Sequence, residues 1–310
     1  MISTPFFIVG AARSGTTLFA MMLNSHSRIA IPYESHFIPD YYRRRESLGD
    51  LKNNANDRIN LVNSILAEPF VARWDKRVEP GDVDTGKCTS LEETIDQIYT
   101  AYARKHSKPT WGDKTPAHIS EIHILNRMFP SAKFIHIIRD GRDVALSFIK
   151  RSWGISDFMT ALTDWEQKVD CARKVLCMLP ETQRMDLRFE DLVSSPEAEI
   201  RRVTDFLGID FEERMIESYC EKAPGYVGKL MKIHPHLSER PSSAQAFKWV
   251  KSLHPADQAI AFDIAGELLK ELGYPEGVRN HSLKRFRKLY HLLVQITRKP
   301  SVHQMARKRP

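Results

Sequence analysis

Residues 10–18, Gly-Ala-Ala-Arg-Ser-Gly-Thr-Thr-Leu, have the make-up of an anion cradle. Gly10 and Gly15 carry the spacing of a phosphate-binding P-loop, and the apolar run Phe6–Val9 before them reads as a buried strand. A tight glycine turn into a helix aims free backbone N–H groups and the positive end of the helix dipole at an anion. Arg13 adds a fixed positive charge, and Ser14, Thr16 and Thr17 add hydroxyl donors. Thr16 stands where an ATP-hydrolysing P-loop carries its lysine. The loop is therefore expected to hold a phosphate-like group while departing from the ATPase pattern.

A second constellation, Arg139-Asp140-Gly141-Arg142-Asp143, follows the nearly continuous apolar run 133–138. The guanidinium of Arg139 is a planar fork that fits two phosphate oxygens. Ser147 lies two helical turns on, and Arg151 one turn further on the same face.

These groups need elements to position them. Strands are expected at 6–9, 28–32, 133–138 and 185–189, with helices near 15–24, 57–67, 91–105, 118–129, 141–151, 196–207 and 255–271. Residues 81–86 read as a loop, and 222–244, rich in Gly, Pro, Ser, His and Lys, as irregular chain. Strand–helix alternation predicts an α/β, P-loop-type three-layer fold with a central parallel sheet flanked by helices. Ligands of such sheets bind at the carboxyl ends of strands, so both constellations should face one crevice.

The chain has 310 residues, 42% of them hydrophobic, which suits one large domain over 1–276, with 37–110 as a mostly helical, acceptor-side insertion. The net charge of +7 is unevenly placed. Residues 277–310 hold ten Lys or Arg and no acid, which leaves about −3 on the body. Leu283, Phe286, Leu289, Tyr290, Leu293 and Ile296 fall near one helical face of this tail. That pattern predicts a basic amphipathic helix, resting on an anionic membrane surface or docked on the body. It carries no nucleic-acid motif. Four cysteines show no metal-ligand pairing and are expected reduced. The sequence shows no secretory pattern and no apolar run of ~18 residues, so a soluble, cytoplasmic protein is expected.

Ala12–Leu18 and Arg139–Ser147 together resemble the 5′-phosphosulfate and 3′-phosphate motifs of sulfotransferases that use 3′-phosphoadenylyl sulfate (PAPS). Residues 32–37, Pro-Tyr-Glu-Ser-His-Phe, resemble the segment bearing the catalytic glutamate in the tyrosylprotein-sulfotransferase-like branch, which includes bacterial-type enzymes. Asp113-Lys114-Thr115-Pro116 resembles that branch's lysine motif, and Lys248-Trp249, after 234–243, its C-terminal cofactor flap. The matching segments run in family order from about residue 6 to 275.

The resemblance implies in-line sulfuryl transfer from PAPS, without a metal, to an acceptor hydroxyl or amine. Arg13, Ser14, Gly15, Thr16 and Thr17 would cradle the 5′-phosphosulfate, and Arg139, Ser147 and Arg151 would take the 3′-phosphate. Ser238, Arg240 and Lys248 would fold over the adenosine phosphates. Glu34 would be the general base, with His36 as rival, and Arg13 and Lys114 would stabilise charge. Phe189 replaces a tyrosine common in relatives and would stack near the adenine or belong to the core. The tyrosylprotein branch carries arginines two and six residues after its glutamate, where they meet acidic peptides. Here those positions are His36 and Asp40, with Arg43, Arg44 and Arg45 out of register. A small-molecule, lipid or glycan acceptor is therefore expected. The competing readings are a P-loop kinase or NTPase, with Asp140 as its metal-binding acid, and a non-catalytic protein that binds anionic surfaces.

Overall fold

Every residue of β1 (Phe6–Val9) is buried, as are all but the first of β4 (Lys133–Ile138). Such unbroken burial marks parallel strands covered on both faces. A computed structural model describes residues 4–150, 155, 157–220 and 241–277. They fall into two compact units, 1–139 with 168–247, and 140–167 with 248–310.

The first unit holds the sheet. With β2 (Ile29–Ala30), β3 (Thr110–Lys114) and β5 (Arg184–Arg188) the strand order is β2-β3-β1-β4-β5, all parallel. Ile8 pairs with Lys114 on one side and Ile135 on the other, so β1 ends between the strand ends that bear Lys114 and Arg139. The chain leaves β1 toward β2 and later crosses to β4, which makes the carboxyl end of β1 a topological switch point.

On one face Phe6, Ile8, Ile135, Ile137 and Leu187 pack against α1 (Thr16–Asn24), α8 (Phe189–Ser194) and α9 (Pro196–Leu207). On the other, Phe7 meets Trp111, Phe129 and Phe134 at centroid distances of 6.2, 5.8 and 5.5 Å. Trp111 in turn meets Tyr99 of α4 (Leu91–Lys105) at 4.5 Å. The period-two alternation of a strand produces this split, and it gives the three layers expected from sequence.

Between β2 and β3, residues 37–110 hold α2 (Ile38–Arg43), α3 (Ala55–Leu66) and α4. Ser90 caps α4 by accepting from the Glu93 N–H at 3.1 Å, with Glu92 and Glu93 in its first turn and Arg104 and Lys105 in its last. The loop expected at 81–86 holds parts of two short 3-10 turns, Pro80–Asp82 and Thr85–Lys87, and the helix expected over 118–129 is a 3-10 turn, Pro116–Ser120, followed by α5 (Ile122–Met128). Glu121 leaves helical geometry at φ −122°, which separates the two. Gly208 ends α9 at φ 77° with open space around it. Gly208→Ala is expected to cost about 1 kcal/mol through backbone strain alone, read as a Tm lower by a few degrees.

The second unit contains α6 (Gly141–Ile149), part of α7 (Phe158–Leu176), a short helix at Trp249–Ser252 and the long helix Pro255–Glu271. Arg142 holds it together. Its Nε and Nη2 donate to Asp140 Oδ1 and Oδ2 at 2.9 and 2.7 Å, and Nη2 also donates to the Pro275 carbonyl at 2.8 Å. The guanidinium lies 3.5 Å from the centroid of the Trp249 ring. No helix among the described residues is long and apolar enough to cross a membrane.

Candidate active site

The loop after β1 turns on two residues with left-handed backbone, Arg13 at φ 76° and Gly15 at φ 88°. A non-glycine residue held there costs on the order of 1 kcal/mol or more, and such strain gathers at functional sites. Gly15 is required twice over, since an added Cβ would also lie 2.3 Å from the Phe189 ring. α1 then starts with no side-chain cap and no acid in its first turn, so its first N–H groups stay open for an anion. Ser14 is fully buried, and its hydroxyl has no hydrogen-bond partner among the described residues. A buried hydroxyl left unpaired costs about 1–3 kcal/mol. An anionic oxygen in the loop would relieve it, so the residues present fit a phosphosulfate.

Arg139, at the end of β4, closes this loop from behind. Its Nη1 donates to the Arg13 carbonyl at 3.2 Å and its Nη2 to the Gln245 carbonyl at 2.9 Å. Its guanidinium lies 4.5 Å from the centroid of the Phe189 ring. Phe189 is thus core, packed against Gly15 and Arg139.

Glu34 and Lys114 meet directly. Lys114 Nζ donates to Glu34 Oε1 at 2.8 Å and to Thr17 Oγ1 at 3.4 Å, and lies 4.5 Å from the centroid of the Tyr33 ring. The ammonium is wholly buried. Glu34 Oε2 accepts from His36 Nε2 at 2.9 Å. Burial alone would raise the Glu34 carboxyl, but the Lys114 charge and the hydrogen bonds from His36 and Lys114 outweigh it and hold it at about 2. Burial, together with the Glu34 charge, pushes the Tyr33 phenol up against the opposing pull of Arg13. His36 has φ 61°, a second strained side-chain-bearing residue at the site, and its ring lies 4.1 Å from that of Phe70. Trp74 Nε1 donates to the Glu34 carbonyl at 3.5 Å. Segment 37–110 therefore supplies the wall beside Glu34.

One cluster was not recognised as such in the sequence. Asp113 is buried among four donors: Ser35 Oγ at 2.9 Å, Tyr99 OH at 2.7 Å and Thr115 Oγ1 at 3.3 Å on Oδ2, and His118 Nδ1 at 2.8 Å on Oδ1. The Ser35 N–H also donates to Thr115 Oγ1 at 2.9 Å. Ser35 follows Glu34, while Asp113 and Thr115 flank Lys114. The cluster thus ties together the backbones that carry the carboxylate and the ammonium. The Asp-Lys-Thr-Pro string drew attention to the lysine, and nothing in its spacing marked the aspartate as the hub.

Ser147, half-buried on α6, and Lys248 belong to the second unit. There Asp143 accepts from the N–H groups of Lys248 and Trp249 at 3.2 and 2.8 Å. Arg151, Ser238 and Arg240 lie outside the described residues, as do 278–310 of the basic tail. Asp140 has both carboxylate oxygens taken by Arg142, which tells against its use as the metal-binding acid of a kinase. Arg43 donates to both oxygens of Glu121 at 2.7 and 2.6 Å.

A model of the Sulfotransferase family matches residues 5–213. Protein-tyrosine sulfotransferase A of Caenorhabditis elegans is 25% identical over 281 residues, which span 88% of this chain and 68% of the relative. Protein-tyrosine sulfotransferase 1 of Danio rerio is 26% identical over 298 residues, spanning 88% and 75%. Among solved structures, the sulfotransferase domain from the curacin biosynthetic pathway shares the fold, with a TM-score of 0.60 at 19% identity over 89% of this chain and 99% of that one.

Proposed function

The chain belongs to the sulfotransferase family, whose model spans residues 5–213, and on that premise we propose that it moves a sulfuryl group from PAPS to an acceptor hydroxyl or amine. The observation that carries this reading is the buried Lys114–Glu34 pair set against the first turn of an uncapped P-loop helix. The donor would supply a sulfuryl group activated by its attachment to phosphate. Arg13, Ser14, Gly15, Thr16 and Thr17 would hold the phosphosulfate through backbone N–H groups, hydroxyls and one fixed charge. Arg139, with Ser147 and Arg151, is assigned to the 3′-phosphate, and Ser238, Arg240 and Lys248 to the cover of the adenosine phosphates. Glu34 takes the acceptor's proton, and Lys114 and Arg13 present positive charge where the leaving phosphate gains negative charge.

The relatives are named for protein tyrosine. In this chain His36 stacks near Phe70, and Asp40 pairs with Arg43 at 3.6 Å. Neither offers the free cation that an acidic peptide would want. We therefore assign the acceptor to small molecules, lipids or glycans bearing a hydroxyl. The cytoplasmic location and contact of the basic tail with anionic membranes belong to the same proposal.

The test is calorimetric titration with 3′-phosphoadenosine 5′-phosphate (PAP) in EDTA, beside ATP with Mg²⁺. Micromolar or tighter metal-free binding is expected. Arg139→Ala should weaken it by about ten- to a hundredfold, the loss of charge-assisted hydrogen bonds. Binding of ATP–Mg²⁺ with none of PAP would overturn the reading in favour of a kinase.

A further inference from the structure

We infer that Lys114 is shared between the donor and the base: an anion entering the P-loop competes with Glu34 for the Lys114 ammonium, so that arrival of the donor releases the base. The inference rests on the proposed function and concerns the same site.

Position is the first support. Lys114 Nζ is within hydrogen-bonding range of Glu34 Oε1 at 2.8 Å and of Thr17 Oγ1 at 3.4 Å. Thr17 belongs to the open first turn of α1, so the ammonium already stands between the carboxylate and the anion cradle. An ammonium has three donors and rotates freely about its stem, so it can change partners without moving its backbone.

The second support is that the backbones cannot part. Ser35 and Thr115, neighbours of Glu34 and Lys114, are joined to each other and to buried Asp113. Glu34 is further held by His36 Nε2 on its other oxygen at 2.9 Å, so relief of the Lys114–Glu34 contact falls to the lysine side chain. The third is electrostatic. Burial pushes the Glu34 carboxyl up, and the Lys114 charge is the largest influence holding it down at about 2. A carboxylate that weakly basic is poorly matched to proton removal at neutral pH. Once an anion draws off part of the Lys114 charge, burial gains ground and Glu34 becomes a stronger base.

The experiment is calorimetric titration of the full chain with PAP, for wild type, Glu34→Gln, Lys114→Met and the double variant. Glu34→Gln removes the competitor and is expected to bind PAP about tenfold more tightly, the scale of one charge-assisted hydrogen bond. Lys114→Met should bind PAP more weakly, and in that background Glu34→Gln should change nothing. Equal affinity of wild type and Glu34→Gln overturns the inference. So does equal tightening with and without Lys114, which would report only the removal of a negative charge. Failure of wild type to bind PAP overturns the donor reading itself, and this inference with it. Should Lys114→Met not fold, Lys114→Gln takes its place in the same cycle.

Discussion

Glu34→Gln is expected to lower turnover by about 10²–10⁴-fold, the contribution of a positioned general base, while the folded chain still binds PAP. Glutamine has nearly the shape of glutamate and keeps only a neutral, weaker acceptor opposite Lys114, whose bond to the charged Glu34 Oε1 is 2.8 Å. What it loses is the ability to take a proton. The measurement is transfer of radiolabelled sulfate from PAPS to a panel of phenols, sugars and lipid hydroxyls, with PAP calorimetry as the control for folding and donor capture. His36→Ala separates the two candidate bases. With Glu34 as base, His36 serves to orient its Oε2, and its loss should cost about ten- to a hundredfold, the scale of one hydrogen bond to a charged group. A larger loss for His36→Ala than for Glu34→Gln would transfer the role to the histidine.

The largest stability effect is expected at Asp113. Asp113→Ala strands four buried donors, those of Ser35, Tyr99, Thr115 and His118. Breaking a buried charged cluster from one side costs about 3–5 kcal/mol, which should lower Tm by on the order of 10 °C. Asp113→Asn should be much milder. Its carbonyl can occupy the Oδ2 position and serve the three hydroxyls, while its amide faces His118. Moving the His118 proton to Nε2, which has no partner among the described residues, leaves Nδ1 to accept from the amide at the cost of one unpaired buried N–H. Acidity gives an independent reading. Burial would raise the Asp113 carboxyl, but the His118 charge and the bonds from His118, Tyr99 and Ser35 hold it below its usual value. Its stabilisation is therefore complete above the unfolded value of ~3.9 and is lost as pH falls through the lower folded value. Acid unfolding of Asp113→Asn should lack that component.

Much of the framework was legible because apolar runs and helix punctuation are local signals. β1, β4 and β5 follow from uninterrupted or alternating apolar stretches, and α9 from Pro196 and Gly208 at its ends. β3 gave no such signal. Its sequence is Thr-Trp-Gly-Asp-Lys, and all but the first of these are buried. Gly112, Asp113 and Lys114 have loop chemistry, yet they sit in a central strand because Asp113 finds four donors and Lys114 a carboxylate. A strand that gives its interior positions to a polar cluster loses the pattern by which strands are recognised. Glu34 and Lys114 were reached through family resemblance and not through periodicity. Tyr99 and His118 look in sequence like ordinary helix and turn residues, and only the tertiary arrangement reveals their hydroxyl and imidazole on one carboxylate. The long helix Phe158–Leu176 also went unassigned, although Asp157 caps it by accepting from the Thr160 N–H at 2.8 Å and its buried Ala161, Leu162, Trp165, Val169, Ala172 and Leu176 fall at helical spacing.

The anchoring of the P-loop bears on when the nascent chain first becomes able to bind its ligand. The cradle leaves the ribosome ahead of its anchors, since the Arg139 fork that grips the Arg13 carbonyl lies 126 residues downstream. The Phe189 ring beneath Gly15 lies further still. At about 5–20 residues per second, translation needs roughly 6–25 s to supply the first of these anchors. Until then the left-handed Arg13 lacks the guanidinium that grips its carbonyl. Donor capture should begin only when β4, and then α8, have emerged, and ribosome-stalled chains ending before residue 139 should fail to be retained on immobilised PAP.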